Sequence, residues 1–159
     1  MANEVSSIQA KLYYSVETVS GTRPLTLAAF TAIADIKEIP EQSLEPDGIE
    51  VTNLNDTIKR YIAGLQDPGS SLGFMFNITS AFITAWNTTL YGAWETGRDT
   101  AAPLATWFAI EIPFLDFSYY VSVDPVKLGI NGLSVGEVVE AMGYVTPRDT
   151  VGWAVALTS

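Results

Sequence analysis

Apolar and polar residues alternate along five stretches of the chain, a pattern typical of β-strands with one buried face. The first stretch is Leu27–Ile39, in which Phe30 and Ile36 share one side with the alanines between them. The other stretches are residues 72–79, 106–112, 117–124 and 151–157. We therefore predict five strands with their apolar faces turned toward a common core.

The stretch 133–145 carries two conflicting signals. Ser134 and Glu137 have the spacing of a helix capping box, whereas the valines that follow favour a strand. We predict a strand here, with a partly helical segment as the alternative.

One helix is predicted between the second and third of these five strands. Phe82, Trp86, Leu90 and Trp94 recur at every fourth residue, Ser80 is a suitable N-cap, and a glycine at 97 ends the pattern. The helix covers residues 80–96, and its aromatic stripe is expected to pack in the core. The fold class is then mainly β with one helix, a β-sandwich with a flanking α-helix.

The chain divides into a predicted N-terminal arm, residues 1–24, and one β-sandwich domain, residues 25–159, which includes a long loop at about 40–69. Prolines, glycines and acidic residues make this loop irregular, and so long a connection is either functional or disordered. Its apolar side chains need a partner. We expect them to order against another subunit, and the candidates are Ile49, Val51, Leu54, Tyr61 and Leu65.

The surface of the protein is poor in charge. Hydrophobic types make up 48% of the residues and charged types only 16%, against a usual figure of about 25%. Part of the surface is therefore expected to be buried against other subunits. The formal net charge of −10 has the wrong sign for gripping a phosphate backbone, which excludes a nucleic-acid clamp.

The sequence lacks most of the residues that carry catalysis. It contains neither cysteine nor histidine, which removes the common zinc ligands, thiol nucleophiles and histidine-dependent triads. Nucleotide-binding glycine motifs are also absent. We expect no catalytic residue, no cofactor and no metal.

Two weak possibilities for chemistry remain among the acidic residues. Glu111, Asp116 and Asp124 lie near two adjacent predicted strands, where a hydrolase carboxylate pair could sit. The second possibility is a Ca²⁺ site formed by Asp47, Glu50 and Asp56, although their spacing does not match that of an EF-hand loop.

A monomeric carbohydrate-binding β-sandwich module is the alternative function. Such a module stacks sugars on exposed aromatic side chains, and the sequence holds four tryptophans. Trp107 alternates with Phe108 and Ile110 and is the tryptophan predicted to face outward, whereas Trp153 shares a side with Val151 and Val155.

Several segments, taken in their order along the chain, resemble the major tail protein (tail tube protein) family of long-tailed, non-contractile bacteriophages. In the first half they are AIADIKEIP at Ala32–Pro40, IEVTNLND at Ile49–Asp56, KRYIAGL at Lys59–Leu65 and DPG at Asp67–Gly69. Near the end they are GLSVG at Gly132–Gly136, Val145–Pro147 and Val151–Trp153. The resemblance covers about residues 25–157.

This resemblance implies a structural virion protein with no enzymatic activity. Subunits of the family join sheet edges into hexameric rings, and the rings stack into a hollow tail tube through which DNA is ejected without specific binding. The implied partners are further copies of the chain and the tape measure, tail terminator and distal tail proteins. With stacked rings, the five apolar loop residues named above become candidates for the contact with an adjoining ring. The implied location is the virion tail, assembled in the bacterial host cytoplasm without a membrane.

Three acidic residues are candidates for the wall of such a channel. Strand alternation places Asp35, Glu111 and Asp124 on the side opposite the apolar residues, so each is expected to point away from the core. An acidic wall would keep phosphates from lodging on it.

Overall fold

The structure is a computed structural model that describes residues 10–33, 36–67, 69, 71–100 and 104–157. Within these residues the protein is mainly β with one helix, which confirms the predicted class. In chain order the strands are β1 (Lys11–Val16), β2 (Thr31–Ile33), β3 (Ile36–Glu38), β4 (Glu45–Glu50), β5 (Tyr61–Asp67), β6 (Leu72–Asn77), β7 (Thr106–Glu111), β8 (Phe117–Pro125) and β9 (Glu140–Val155).

The chain folds as two compact units. The larger unit comprises Met1–Pro40 and Ser71–Ser159, and the smaller unit comprises Glu41–Ser70. Seven strands of the larger unit form one sheet in the order β2-β1-β7-β8-β9-β6-β3, and all its neighbouring strands are antiparallel. Strands β4 and β5 form a separate two-stranded sheet in the smaller unit.

The seven-stranded sheet curls until it is nearly closed. Its two edge strands, β2 and β3, follow each other in the chain, and only positions 34 and 35 separate them. Three residue steps span at most about 11 Å, so the two edges lie close together. The single strand predicted over Leu27–Ile39 is therefore wrong: it is a helical turn at Leu27–Ala29 followed by two short strands on opposite edges.

The predicted N-terminal arm contains an inner strand of the sheet. Strand β1 lies between β2 and β7, and it pairs with β7 over its whole length, from Lys11 opposite Glu111 to Val16 opposite Thr106. Its Leu12 side chain is fully buried in the core. Burial of one strand face fixes this segment in the sheet.

The main core lies on the concave face of the sheet, beneath the helix. Phenylalanines dominate it: Phe74 packs edge-on against Phe108, and Phe76 contacts both Phe82 and Trp86 of the helix. The remaining fully buried members include Leu12, Leu90, Val121, Val123 and Val145.

The helix is continuous but changes its winding. It has an α-helical turn α1 (Ser80–Thr84), a π-helical segment Ala85–Tyr91 and a second α-helical segment α2 (Gly92–Gly97). A stripe repeating every fourth residue rotates by roughly 40° per step on an α-helix, and wider π turns take up that rotation. The predicted N-cap is off by one residue, because the side chain of Thr79, not Ser80, accepts the N–H of Phe82 at 3.1 Å.

A second apolar cluster covers the opposite face of β7 and β8. Trp107, Ala109 and Tyr120 point to this side and pack with Phe30 from the segment before β2. The guanidinium of Arg23 lies 4.2 Å from the centre of the Tyr120 ring. Both faces of the sheet are therefore buried here, so Trp107 is 3% exposed although it faces away from the main core.

Strand β9 is the longest element and joins two predicted strands. Its first part, Glu140–Val145, pairs with β6, and from Val145 onward it pairs with β8. The strand predicted over 133–145 thus begins only at Glu140, and Ser134–Glu137 forms a turn rather than a helix.

The region expected as an irregular loop at about 40–69 contains a β-hairpin. Ile49 lies opposite Ile62, Glu50 lies opposite Tyr61, and the register shifts between Pro46 and Gly48. Period-two alternation could not reveal β4, because all six of its residues are exposed. Its proline is compatible with an edge strand.

Candidate assembly surfaces

The hairpin displays apolar side chains on both of its faces. Ile49 and Ile62 form a cross-strand pair on one face, over Gly64, while Tyr61 covers Gly48 on the other. All five residues predicted to contact an adjoining ring are exposed: Ile49, Val51, Leu54, Tyr61 and Leu65.

The hairpin exposes apolar side chains that it cannot bury by itself. A two-stranded hairpin by itself is at best marginally stable in water, since it cannot bury enough apolar surface. At its tip the amide of Asn53 donates to Asp56 at 2.9 Å and that of Arg60 to the Thr52 hydroxyl at 2.8 Å. These polar contacts fix the turn and leave Leu54 fully exposed.

Among the described strands, the second half of β9 pairs on one side only. Pairing with β6 ends at Val145, so Thr146–Val155 is bonded only to β8 among the described strands. Pro147 lies in this half, and proline is confined largely to edge strands because it lacks an N–H. An exposed edge of this length is a template for pairing with another strand.

Exposed aromatic and aliphatic groups cluster at the end of the β8–β9 pair. Phe117 lies opposite Val155 and Tyr119 opposite Trp153, whose ring packs edge-on against that tyrosine. Trp153 is 56% exposed. The prediction that Trp107 faces solvent is therefore wrong, because the second cluster covers it, and the exposed tryptophan on this part of the sheet is Trp153.

Two of the three predicted channel acids can be located. Glu111 is at the end of β7, opposite Lys11, and on the face that carries Trp107 and Ala109. Burial, the charge of Glu111 and a hydrogen bond to Glu111 raise the pKa of Tyr13. Glu111 is thus partly exposed and bound to a tyrosine hydroxyl.

Asp124 is held in an ion pair. Its Oδ1 accepts from Arg148 Nη2 at 2.7 Å and its Oδ2 from Arg148 Nε at 3.4 Å, which joins β8 to β9. The charge of Asp124 is thereby compensated locally, which sequence alternation could not show. Asp35 lies outside the described residues.

Glu111 and Asp124 share a sheet face but not a site. Glu111 lies opposite Ser118, and Asp124 is six residues further along β8, so roughly 20 Å separates them. Hydrolase pairs need carboxyl groups roughly 5–9.5 Å apart, so these two do not form one.

Sequence reasoning missed a buried carboxylate. Glu17 is 3% exposed and accepts three N–H groups: the Trp107 indole at 2.7 Å and the amides of Ala105 and Gly21 at 3.0 and 3.1 Å. These bonds fasten the segment after β1 over the second cluster. A lone glutamate in a short polar stretch gave no signal of this role.

The described part of the chain shows no cluster of three or more acidic groups able to hold a metal ion. It likewise contains no helix of the length and hydropathy needed to cross a membrane.

Comparison with known proteins identifies the fold. No protein-family model matches the sequence, and no curated protein matches it either. Among solved structures, the chain is similar to one chain of the cryo-EM structure of the anti-feeding prophage (AFP) baseplate, 6-fold symmetrised, with a TM-score of 0.59 and 13% identity. The similarity covers 99% of this chain and 100% of that chain. The two proteins share a fold.

Proposed function

We propose that the protein is a structural subunit of a phage tail, which assembles with copies of itself into stacked, hexameric rings that form the tail tube. The observation that carries the proposal is the hairpin Glu45–Asp67, whose apolar residues are exposed on both faces. Such a surface on a charge-poor protein requires cover, and in a homo-oligomer identical subunits supply it.

Three further features support the same proposal. Among the described strands the second half of β9 pairs only with β8, and pairing of its other side with a strand of the next subunit would continue the sheet around a ring. The fold is shared over 99% of the chain with one chain of a baseplate structure that was symmetrised with six-fold symmetry. Self-assembly would also bury part of the charge-poor surface and stabilise the folded subunit.

In this proposal the hairpin makes the contact between rings. Ile49, Val51, Leu54, Tyr61 and Leu65 are buried against the adjoining ring, and the hairpin is mobile in the free subunit. Hydrogen exchange of free and assembled protein measures this directly. Slow exchange of β4 and β5 amides only in the assembly supports it, and equal exchange in both states contradicts it.

The channel carries DNA during ejection, and Glu111 and Asp124, the two predicted channel acids among the described residues, face it. The net charge of −10 suits a wall that binds DNA weakly. The tape measure, tail terminator and distal tail proteins are the other partners, and the tube belongs to a virion assembled in the bacterial host cytoplasm.

Sedimentation over a range of concentrations tests the self-assembly. The wild-type protein should form large oligomers as its concentration rises, and Leu54→Ser with Leu65→Ser should shift that transition to higher concentration. Ile130→Ser removes another exposed apolar side chain, this one from the larger unit, and serves as the control. A wild-type protein that stays monomeric at millimolar concentration contradicts the proposed function and leaves the alternative, a monomeric carbohydrate-binding module.

A further inference from the structure

An aromatic side chain projects into solvent from the turn between β7 and β8. Phe114 is 96% exposed, the amide of Leu115 donates to Ile112 at 3.3 Å, and Pro113 occupies the second position of this turn. Phe114 has a φ of 68°. This is the third position of a type II turn, which normally requires glycine.

Phenylalanine is unfavourable at that position for two reasons, its backbone conformation and its exposure. A bulky residue at positive φ strains the backbone, and a fully exposed ring gains nothing from burial. An outlier of this kind motivates a functional explanation. The ring therefore lies at the tip of the turn, exposed to solvent and not packed on its own subunit.

The same chain carries a cleft that suits such a ring. It lies between the edge of the sheet and the first turn of the helix, with Tyr14, Ile33 and Phe82 as walls and Ala81 and Ala85 leaving the space open. None of the described residues that line it carries a charge. Its volume is about 230 Å³. An enclosed apolar cavity of roughly 150 Å³ holds benzene, so the volume of this half-open cleft is large enough for one phenyl ring.

We infer that Phe114 of one subunit inserts into this cleft of the next copy of the chain. The inference rests on the proposed self-assembly and names one of its contacts. Phe114 does not fill the cleft of its own subunit, because its ring is 96% exposed. A knob and a hole at different places on one chain make a head-to-tail contact, which generates a closed ring or a continuing stack.

Each subunit then offers one knob and one hole, and the ring of Phe114 is the anchor of the contact. The exposed Phe117, Trp153 and Val155 near the end of the same strands add apolar area around it. A buried aromatic anchor of this kind typically dominates an interface.

The substitution Phe114→Gly separates assembly from folding. Glycine removes the anchor and relieves the positive φ, so the subunit should melt at the same or a higher temperature. Assembly should nevertheless weaken by about 30-fold for each contact, the effect typical of a lost aromatic anchor. Val135→Gly, which removes another fully exposed apolar residue from a turn, should leave assembly unchanged.

Filling the cleft tests the other side of the contact. Ala81→Trp blocks the cleft from an exposed helix position, and Thr84→Trp is the matched control, because Thr84 is on the same helix but does not line the cleft. Ala81→Trp should weaken assembly as Phe114→Gly does, while the control assembles normally.

Mixing the two defective proteins gives the sharpest result. Phe114→Gly retains the hole and Ala81→Trp retains the knob, so an equimolar mixture can form this contact between unlike subunits and should assemble at a lower concentration than either variant alone. If Phe114→Gly assembles as well as the wild-type protein, the inference is overturned. The proposed function then still stands, because the wild-type protein assembles. Wild-type protein that never assembles overturns both.

Discussion

The indole ring of Trp86 lies directly over the Cα of Gly143, so that a Cβ added there would meet Trp86 Cη2 at 2.7 Å. Phe76 Cε2 is nearly as close, at 2.8 Å. The indole N–H donates to the carbonyl of Val126 at 2.9 Å, which holds the ring in this place. The helix can therefore approach β9 only because this strand position has no side chain.

Gly143→Ala is expected to destabilise the subunit by about 2 kcal/mol or more, because neither buried ring can move aside cheaply. Chemical denaturation measures the change. Gly132→Ala is the control, since nothing lies within 4 Å of a Cβ at that position. Equal stability of the two variants would show that the helix is not packed as described.

The buried carboxylate gives a second prediction. Glu17→Ala leaves the Trp107 indole and two backbone amides without an acceptor, which should cost about 3 kcal/mol of unfolding free energy. Glu17→Gln keeps one acceptor oxygen and should cost less. The exposed Glu95→Ala should be neutral. If all three substitutions have the same effect, Glu17 does not fasten the segment over the second cluster.

The alkaline side of the stability profile should reflect Tyr13. Its pKa in the folded protein is raised above the ordinary value of 10.0, so the unfolded chain releases this proton first. The stability that the protonated hydroxyl contributes is complete below about pH 10 and is lost as the pH rises through the folded pKa. Tyr13→Phe should reduce this loss in denaturation curves measured above pH 10.

The same tyrosine reports on Glu111. Glu111→Gln should lower the pKa of Tyr13, because it removes a negative charge and a strong acceptor while burial remains. Nuclear magnetic resonance of labelled tyrosines measures it. Tyr119, whose pKa is raised by burial alone, is the internal control and should not shift. An unchanged Tyr13 would place Glu111 away from its hydroxyl.

The proposed channel charge leads to a prediction about DNA ejection. Glu111→Lys should slow ejection, because six cations in each ring would bind passing phosphates. The double variant Asp124→Asn with Arg148→Gln removes one charge of each sign and should eject DNA at the normal rate. Normal ejection by Glu111→Lys virions would show that Glu111 does not face the channel.

The sequence predicted the elements whose core-facing residues recur with a regular period. Strands β6, β7 and β8 and the helix lie within a few residues of their expected positions. The hairpin escaped prediction because its residues are exposed and include Pro46 and Gly48. The split between β2 and β3 also escaped, because alternation does not reveal which edge of a sheet a strand joins.

The candidate surfaces were only partly predictable. Exposure of the apolar loop residues followed from composition, whereas the Asp124–Arg148 pair and the burial of Trp107 depend on which strands lie side by side and what covers them. Phe114 gave no signal in the sequence, because its positive φ is a property of the folded backbone.

Electron microscopy of the concentrated, purified protein tests most directly whether copies of this chain build a tube. We expect rings of six subunits that stack into hollow tubes, with the β4–β5 hairpin ordered between successive rings. A field of single subunits at millimolar concentration, with neither rings nor tubes, would contradict it.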